Sequence, residues 1–296
     1  EIFGKFRLKI REERSVYVGQ VMSKAIKKIV EEARDNAYTE IDLADREIKS
    51  LNSVPILLQL RQLTRLTLSH NKLTAIPSSI VDLYNLEHLN LFNNFIEELP
   101  TSITTLSKLK FLNVGVNRLS SLPRGLGSLP CLEILELTYN NLNENSLPAN
   151  FFLLADSLRA LYLGDNDFEK LPADFGKLKN LQVLVLRDND LVELPEELGE
   201  LTNLRELHLQ NNRLTALPPS LGNLQLGEAR HVFKAEGNSW IQAIQDQLIL
   251  GNTHVFESLK SDAYKQTYKS HVDSGIAPPP KNEKEKTLKR SRKKVP

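Results

Sequence analysis

Six histidines have the widest chemical repertoire in this sequence, because imidazole can act as a base or bind a metal ion near neutral pH. They are His70, His88, His208, His231, His254 and His271. None falls in the H-E-x-x-H spacing, which places two zinc ligands and a catalytic base on one helix. We therefore predict ordinary surface histidines rather than a catalytic or metal-binding site.

The other reactive groups are equally isolated. Paired carboxylates such as Glu97 with Glu98 and Glu196 with Glu197 fall in segments predicted to be outer loops, where no pocket would desolvate them. Cys131, the single cysteine, has no neighbouring base to activate it. The glycine-rich phosphate loops and the G-x-S-x-G nucleophile elbow are also missing from the sequence. These features predict a protein that is not an enzyme and requires no cofactor.

The composition favours one cellular compartment. Of 296 residues, 41% are hydrophobic and 25% charged, an ordinary balance for a globular protein. The sequence has no apolar run of about 18 residues that could span a membrane. Residues 1–21 are too charged to form a secretory signal. A single cysteine excludes an intramolecular disulfide, and no N-x-[ST] glycosylation site occurs, so we expect the reducing cytoplasm.

The elements that position these side chains follow from an internal repeat with the template LxxLxLxxNxLxxLPxxLxxL. Its asparagines, separated by 23, 23, 23, 26, 23 and 23 residues, are Asn71, Asn94, Asn117, Asn140, Asn166, Asn189 and Asn212. Degenerate copies place Arg46 before this series and Asn238 after it at the equivalent position. The repeat predicts an α/β leucine-rich-repeat solenoid of about nine turns.

Each part of the template has a structural role. Alternating leucines such as Leu66 and Leu68 predict one short strand per turn, and stacked turns form a parallel sheet on the concave side. The asparagine amide can both donate to and accept from buried backbone groups at the turn after the strand. Leu-Pro pairs such as Leu99-Pro100 predict short irregular or 3₁₀ segments on the convex side, because proline cannot donate to a sheet.

Both ends of such a stack need a cover, and the sequence contains helical patterns at both. The first pattern has its apolar face at Ile26, Ile29, Val30 and Ala33. The second predicts two helices broken at Gly251, with apolar residues Trp240, Ile241, Ile244, Leu248, Val255, Phe256, Leu259 and Ala263. The predicted boundaries are a leader at 1–21, a capping helix at 22–40, repeats at 41–238, a helical cap at 239–272 and a disordered basic tail at 273–296.

Side chains that flank the buried leucines project from the concave sheet. Successive turns carry apolar or aromatic residues there, namely Phe92, Phe111, Ile134, Tyr139, Tyr162, Val183 and Val185. Exposed patches of this kind are typical of protein interfaces, although the same residue types also support packing within strands. Neighbouring charges that would orient a partner are Glu136, Asp165, Arg187 and Asp188. We predict a partner-binding set of Phe92, Phe111, Asn113, Glu136, Thr138, Tyr139, Tyr162 and Arg187.

The C-terminal segment differs in charge from the rest of the chain. Residues 276–296 hold eight lysines or arginines against two glutamates, so a net charge of +1 leaves the remainder at about −5. Such a tail could serve nuclear import, anionic lipid or nucleic acid. We favour a solvated tail without a specific ligand and do not expect nucleic acid as a partner.

From Met22 onward, about nine tenths of the sequence resembles the Ras suppressor protein family, cytosolic leucine-rich-repeat proteins of cell-matrix adhesions. The resemblance rests on MSKAIKKIVEEAR, LTYNNLNENSLPANFF, RALYLGDNDFE, LRDNDL, VFKAEGNSW and HVFESLKSDAYK. Residues 1–21 fall outside it, and we expect translation to begin at Met22, the single methionine.

The resemblance implies a partner and a place in the cell. It implies binding to the LIM-domain adaptor PINCH, in a complex with integrin-linked kinase and parvin, and restraint of Ras-dependent signalling. It also implies a cytoplasmic, monomeric protein without a membrane span, and a nuclear pool would depend on the basic tail. The alternatives are a scaffold for a Ras-family GTPase and a phosphatase, an enzyme or its targeting arm, and a nucleic-acid-binding protein that uses the tail.

Overall fold

The computed structural model describes residues 24–281, and its core is a single parallel sheet. Each turn contributes one three-residue strand, and the strands lie in the sheet in the same order as in the chain. The strands are β1 (Glu40–Asp42), β2 (Arg65–Thr67), β3 (His88–Asn90), β4 (Phe111–Asn113), β5 (Ile134–Glu136), β6 (Ala160–Tyr162), β7 (Val183–Val185), β8 (Glu206–His208) and β9 (Val232–Lys234). The predicted leucine-rich-repeat solenoid is confirmed.

The register of the sheet follows the repeat. Leu66 pairs with Leu89, and Leu89 with Leu112, so equivalent positions of successive turns stack directly. The middle residue of each strand is buried, and these residues are Ile41, Leu66, Leu89, Leu112, Leu135, Leu161, Leu184, Leu207 and Phe233. A shift of one residue would move every leucine to the solvent face, so burial fixes this register.

The convex side consists of 3₁₀ segments, as the Leu-Pro pairs predict. They span Leu51–Ser53, Pro55–Gln59, Ser78–Asp82, Thr101–Thr105, Leu126–Ser128, Glu144–Ser146, Phe151–Asp156, Ala173–Lys177, Glu196–Glu200 and Pro219–Asn223. Five of them begin directly after a proline, namely Pro77, Pro100, Pro172, Pro195 and Pro218. Proline fixes φ and removes a backbone donor, which ends sheet pairing and starts the return path.

The predicted asparagine ladder is present and buried. The amide nitrogen Nδ2 of Asn140 donates to the carbonyls of Val114 and Leu137, each at 3.0 Å, while Oδ1 accepts from the backbone N of Leu119 at 3.0 Å. The carbonyl of Val114 also accepts from Asn117 at 3.0 Å. Each such carbonyl therefore binds two ladder asparagines, one of its own turn and one of the next, which joins neighbouring turns through side chains.

Helices cover both ends of the sheet. Helix α1 occupies residues 24–35, the first of which is also the first residue described, and it buries Ile26, Val30 and Ala33 against the first turn. At the other end lie α2 (Gln242–Leu250), α3 (Asn252–Lys260) and α4 (Asp262–Asp273). The predicted break at Gly251 is present, where φ of +117° is a conformation that favours glycine.

The C-terminal cap contains one helix more than predicted. Ser261 has an extended backbone conformation, which ends α3. Its hydroxyl accepts from the backbone N of Tyr264 at 3.1 Å and caps the start of a third helix. Ala263, expected on the buried face, is exposed, and Tyr264 is buried in its place. The Tyr264 hydroxyl donates to the carbonyl of Leu217 at 2.7 Å and accepts from its N at 3.1 Å, which ties α4 to the last regular repeat.

The start of the predicted tail also differs from expectation. The backbone carbonyl of Pro279 accepts from Arg213 Nε at 2.6 Å, and Lys281 forms an ion pair with Glu169. Pro279 and Lys281 therefore contact the repeats, whereas residues 274–278 are exposed. The rest of the tail, residues 282–296, and the leader at 1–21 lie outside the described residues.

Candidate functional site: the concave face

The concave face is built from two rows of side chains. In each strand the first and third residues point away from the buried middle residue, and the register aligns them across the sheet. The first row is Glu40, Arg65, His88, Phe111, Ile134, Ala160, Val183, Glu206 and Val232. The second row is Asp42, Thr67, Asn90, Asn113, Glu136, Tyr162, Val185, His208 and Lys234. The middle of the first row is apolar from Phe111 to Val183, whereas the second row is polar or charged except at Tyr162 and Val185.

The predicted apolar stripe contains both partly exposed and buried side chains. Phe111, Ile134, Tyr162 and Val183 are half-buried and present part of their surface to solvent. Val185 is only 7% exposed and lies beneath its neighbours, so its prediction as a surface residue is wrong. For Val185 the alternative interpretation, packing within the sheet, is correct.

Two glycines give the larger side chains of the face room to lean over the sheet. A Cβ added at Gly115 would lie 3.3 Å from Phe92 Cδ2, and one added at Gly164 would lie 3.3 Å from Arg187 Cγ. Phe92 also packs its ring edge-on against His70, with ring centroids 5.3 Å apart. These glycines were not recognised in the sequence as part of the site.

Polar residues of the second row are bound within their own turns. Oδ1 of Asn113 accepts from the backbone N of Gly115 at 2.9 Å, and Oε1 of Glu136 accepts from the backbone N of Thr138 at 2.7 Å. Asn113, Glu136 and Thr138 therefore hold the loop after the strand in shape, in addition to lining the face. A charge reversal at Glu136 would remove this hydrogen bond, and loss of partner capture would then not identify a contact.

A neutral substitution at Glu136 gives a cleaner test. Burial raises the pKa of this carboxyl, and hydrogen bonds from Thr138 oppose the shift. Because the folded-state pKa is raised, ionised Glu136 lowers stability above that pKa, and the penalty disappears below the unfolded-state pKa. We expect Glu136→Gln, which keeps the acceptor, to raise the free energy of unfolding near pH 7 but not near pH 4, as urea titrations would measure. An equal effect at both pH values would contradict a buried charge.

Arg187 is held rigidly beside the apolar stripe. Its Nη1 lies 3.1 Å from Asp165 Oδ2 and 2.6 Å from Asp188 Oδ2, and Asp188 Oδ1 accepts from Asn211 at 3.0 Å. The guanidinium is thereby fixed before any partner arrives, which lowers the entropy cost of using it in an interface.

Tyr139 occupies a backbone position that the sequence interpretation missed. In every turn the residue before the ladder asparagine, or its equivalent, has φ above +50°; these residues are Asp45, His70, Asn93, Val116, Tyr139, Asp165, Asp188, Asn211 and Gly237. Asparagine, aspartate, histidine and glycine tolerate this left-handed region, whereas a β-branched residue is strained there. The enrichment of asparagine and aspartate at this position was the available signal.

Val116, with φ of +53°, is the strained member of this series. We expect Val116→Asn to raise the free energy of unfolding by about 1 kcal/mol, because asparagine adopts the left-handed conformation more readily. The reverse exchange at the equivalent position of the preceding turn, Asn93→Val, should destabilise the protein. Chemical denaturation measures both, and a Val116→Asn variant that is less stable than the parent would show that Val116 is unstrained.

The described residues contain neither a group of metal ligands nor a helix that could span a membrane. Between residues 24 and 281 no three His, Cys, Asp or Glu side chains are grouped as metal ligands would be. No helix in the same span has the length and apolar character needed to cross a bilayer.

Known proteins share this architecture. A model of the leucine-rich repeat region matches residues 20–152 and 142–248. Ras suppressor protein 1 of Homo sapiens is 65% identical over 272 residues, which cover 92% of this chain and 98% of the human protein. The proteins of the same name from Bos taurus and Mus musculus are 64% and 61% identical over the same shares.

Solved structures also resemble this chain. A leucine-rich-repeat protein of Leptospira interrogans is 32% identical with a TM-score of 0.56, and the match covers 70% of this chain and 57% of that one. The Arabidopsis receptor kinase HAESA, solved with the peptide hormone IDA and the co-receptor SERK1, is 30% identical with a TM-score of 0.58, over 68% of this chain and 34% of that one. On the repeat region and the near-complete match to its relatives, the chain belongs to the Ras suppressor protein family of leucine-rich-repeat proteins.

Proposed function

We propose that this protein is a non-enzymatic adaptor of cell-matrix adhesions, whose concave face binds a LIM domain of PINCH. In this proposal it acts in the cytoplasm as a monomer, in one complex with integrin-linked kinase and parvin, and modulates integrin and Ras signalling. The name of its relatives, Ras suppressor protein 1, supports the link to Ras. The family relationship supports the choice of partner.

One observation carries the proposal. Phe92, Phe111, Tyr139 and Tyr162 are half-exposed aromatic side chains on four successive turns of one sheet. Solvent-facing aromatics of this density are typical of interface centres, where they become desolvated on binding. Hydrogen-bonded loops and the fixed guanidinium of Arg187 hold the surrounding residues in place. A rigid surface of this kind suits a folded partner module, because little conformational entropy is lost.

The test measures capture of purified PINCH by the full chain. We expect Tyr162→Ala to weaken binding by about thirtyfold, since truncation of a central aromatic contact costs about 2 kcal/mol or more. Tyr84→Ala is the matched control, because Tyr84 is a tyrosine outside the concave sheet that is 49% exposed. Its binding should equal that of the parent. Unchanged affinity in both Tyr162→Ala and Phe111→Ala would place the interface elsewhere.

The relatives' name also favours the second candidate function, a scaffold that binds a Ras-family GTPase directly. This candidate predicts that the isolated chain binds such a GTPase more tightly with a GTP analogue than with GDP. The adaptor proposal predicts no difference between the two nucleotides when PINCH is absent, so one measurement with purified proteins separates the two functions.

A further inference from the structure

A second candidate site lies at the edge of the last two repeats, apart from the concave residues considered above. A pocket of about 590 Å³ opens where β8 and β9 begin, and its lining includes Thr202, Arg205, Glu228, Arg230 and His231. Its volume falls in the range typical of ligand sites. One wall exists because the interval from Asn212 to Asn238 is 26 residues rather than 23, which lengthens the loop after Leu224.

Arg205 is unpaired where its counterparts are paired. Arg205 lies seven residues before a ladder asparagine, and at the same position Lys110 pairs with Glu87 of the preceding turn at 2.7 Å and Arg159 with Glu133 at 3.8 Å. The residue that precedes Arg205 in this series is Gln182, which carries no charge. Within residues 24–281 the guanidinium of Arg205 consequently makes no hydrogen bond or ion pair.

Two further side chains of the pocket have hydrogen-bonding groups without a partner among the described residues. The guanidinium of Arg230 likewise has no partner among the residues that the structure describes. The side chain of His231 is only 14% exposed, and its buried Nδ1 has no hydrogen-bond partner, although Glu228 Oε2 lies 3.9 Å away. Backbone bonds from Glu228 N to the carbonyl of Gln225 and from His231 N to the carbonyl of Glu228, each 3.0 Å, fix the loop that carries these groups.

We propose that this pocket binds a phosphoryl group on a serine or threonine side chain of a partner protein. Guanidinium groups match the geometry of phosphate oxygens with paired donors, and two of them neutralise a dianion. The hydroxyl of Thr202, also in the lining, supplies a further donor. A single carboxylate, with one negative charge, would neutralise only one of the two arginines.

The surroundings favour a peptide over a membrane surface. Binding to anionic lipid relies on clusters of about four to eight basic residues. Here Glu206 directly follows Arg205 in the chain, and Glu228 lines the pocket itself. These carboxylates would repel an extended anionic lipid surface, whereas a single phosphate can contact the arginines alone.

An NMR titration of the ¹⁵N-labelled full chain with N-acetyl-phosphoserine amide tests the proposal. We expect saturable shifts of the backbone amides of residues 202–205 and 228–231, and none with the unphosphorylated serine compound. The double variant Arg205→Gln, Arg230→Gln should bind at least about tenfold more weakly, because hydrogen bonds to charged groups are lost. Arg159→Gln is the matched control, because this arginine occupies the same repeat position but is ion-paired, and its variant should bind normally.

Three outcomes would overturn the proposal. The first is the absence of saturable shifts in the parent chain, or equal binding by a double variant that melts like the parent. The second is inorganic phosphate that binds as tightly as the phosphoserine compound, which would make free phosphate the ligand. The third is retention on phosphatidylserine vesicles that the double variant loses, which would assign the arginines to a membrane.

Discussion

Asn140→Ala is expected to lower the free energy of unfolding by about 4 kcal/mol, the largest single-residue effect that the ladder predicts. Asn140 is 0% exposed, and its amide forms hydrogen bonds with the backbone of Val114 and Leu119 in the preceding turn and of Leu137 in its own turn. The carbonyl of Val114 would keep its bond from Asn117, and that of Leu137 its bond from Asn166. The backbone N of Leu119 would lose its acceptor within the core, and an orphaned buried donor costs about 1–3 kcal/mol by itself.

Urea unfolding followed by circular dichroism measures this effect. Asn203→Ala is the control, because Asn203 is an exposed asparagine with one side-chain bond, from Nδ2 to the carbonyl of Lys179 at 2.8 Å. We expect it to cost less than about 1 kcal/mol. Because each turn is stabilised mainly by its neighbours, Asn140→Ala should also broaden the transition as the two halves separate. Equal stability of the two variants would show that the ladder does not hold the turns together.

The second large effect is expected on the convex side, where Gly127→Ala should cost about 3 kcal/mol. A Cβ at this position would lie 1.7 Å from the backbone carbonyl oxygen of Asn150, a distance at which no side-chain rotation helps. The two 3₁₀ segments Leu126–Ser128 and Phe151–Asp156 would therefore have to move apart. This movement would open the core around Phe151, one of the largest fully buried side chains.

Gly164→Ala is the matched control for this clash. An added Cβ would lie 3.3 Å from Arg187 Cγ and 3.4 Å from the carbonyl oxygen of Arg187, contacts that a shift of a few tenths of an ångström relieves, so we expect a loss below about 1 kcal/mol. Thermal unfolding of both variants decides the matter. A Gly127→Ala protein with the parent's melting temperature would mean that the convex segments are not in close contact at Asn150.

The sequence predicted those parts of the fold that depend on local, repeated chemistry. Leucine at alternate positions and asparagine at a fixed interval determine strand, register and ladder together, because each turn meets an almost identical neighbour. Even the degenerate copy at Asn238 could be assigned, and its amide donates to the carbonyls of Leu209 and Ala235. The position of the concave face followed from the same period.

The other features of the fold and of the concave face depend on contacts that do not recur with the repeat. Whether Val185 is covered depends on the sizes of side chains on neighbouring strands. The third cap helix arises from a single serine, Ser261, and its burial of Tyr264 depends on a backbone group at Leu217, 47 residues earlier in the chain. The predicted partner-binding set lies on the concave face, but the structural roles of Asn113 and Glu136 follow only from their hydrogen-bond partners.

The sharing of each ladder carbonyl by two asparagines limits how the length of this protein can change. Excision of one complete 23-residue unit would bring the next asparagine to the same carbonyl, and every bond across the junction could form again. A deletion of any other size between the strand and its asparagine would shift the register, so the asparagines on one side of the junction would not reach the carbonyls on the other. Extra residues are accepted only on the return path, as the two 26-residue turns show. Evolution of such a chain would therefore proceed by whole turns on the inner side and by single residues on the outer side.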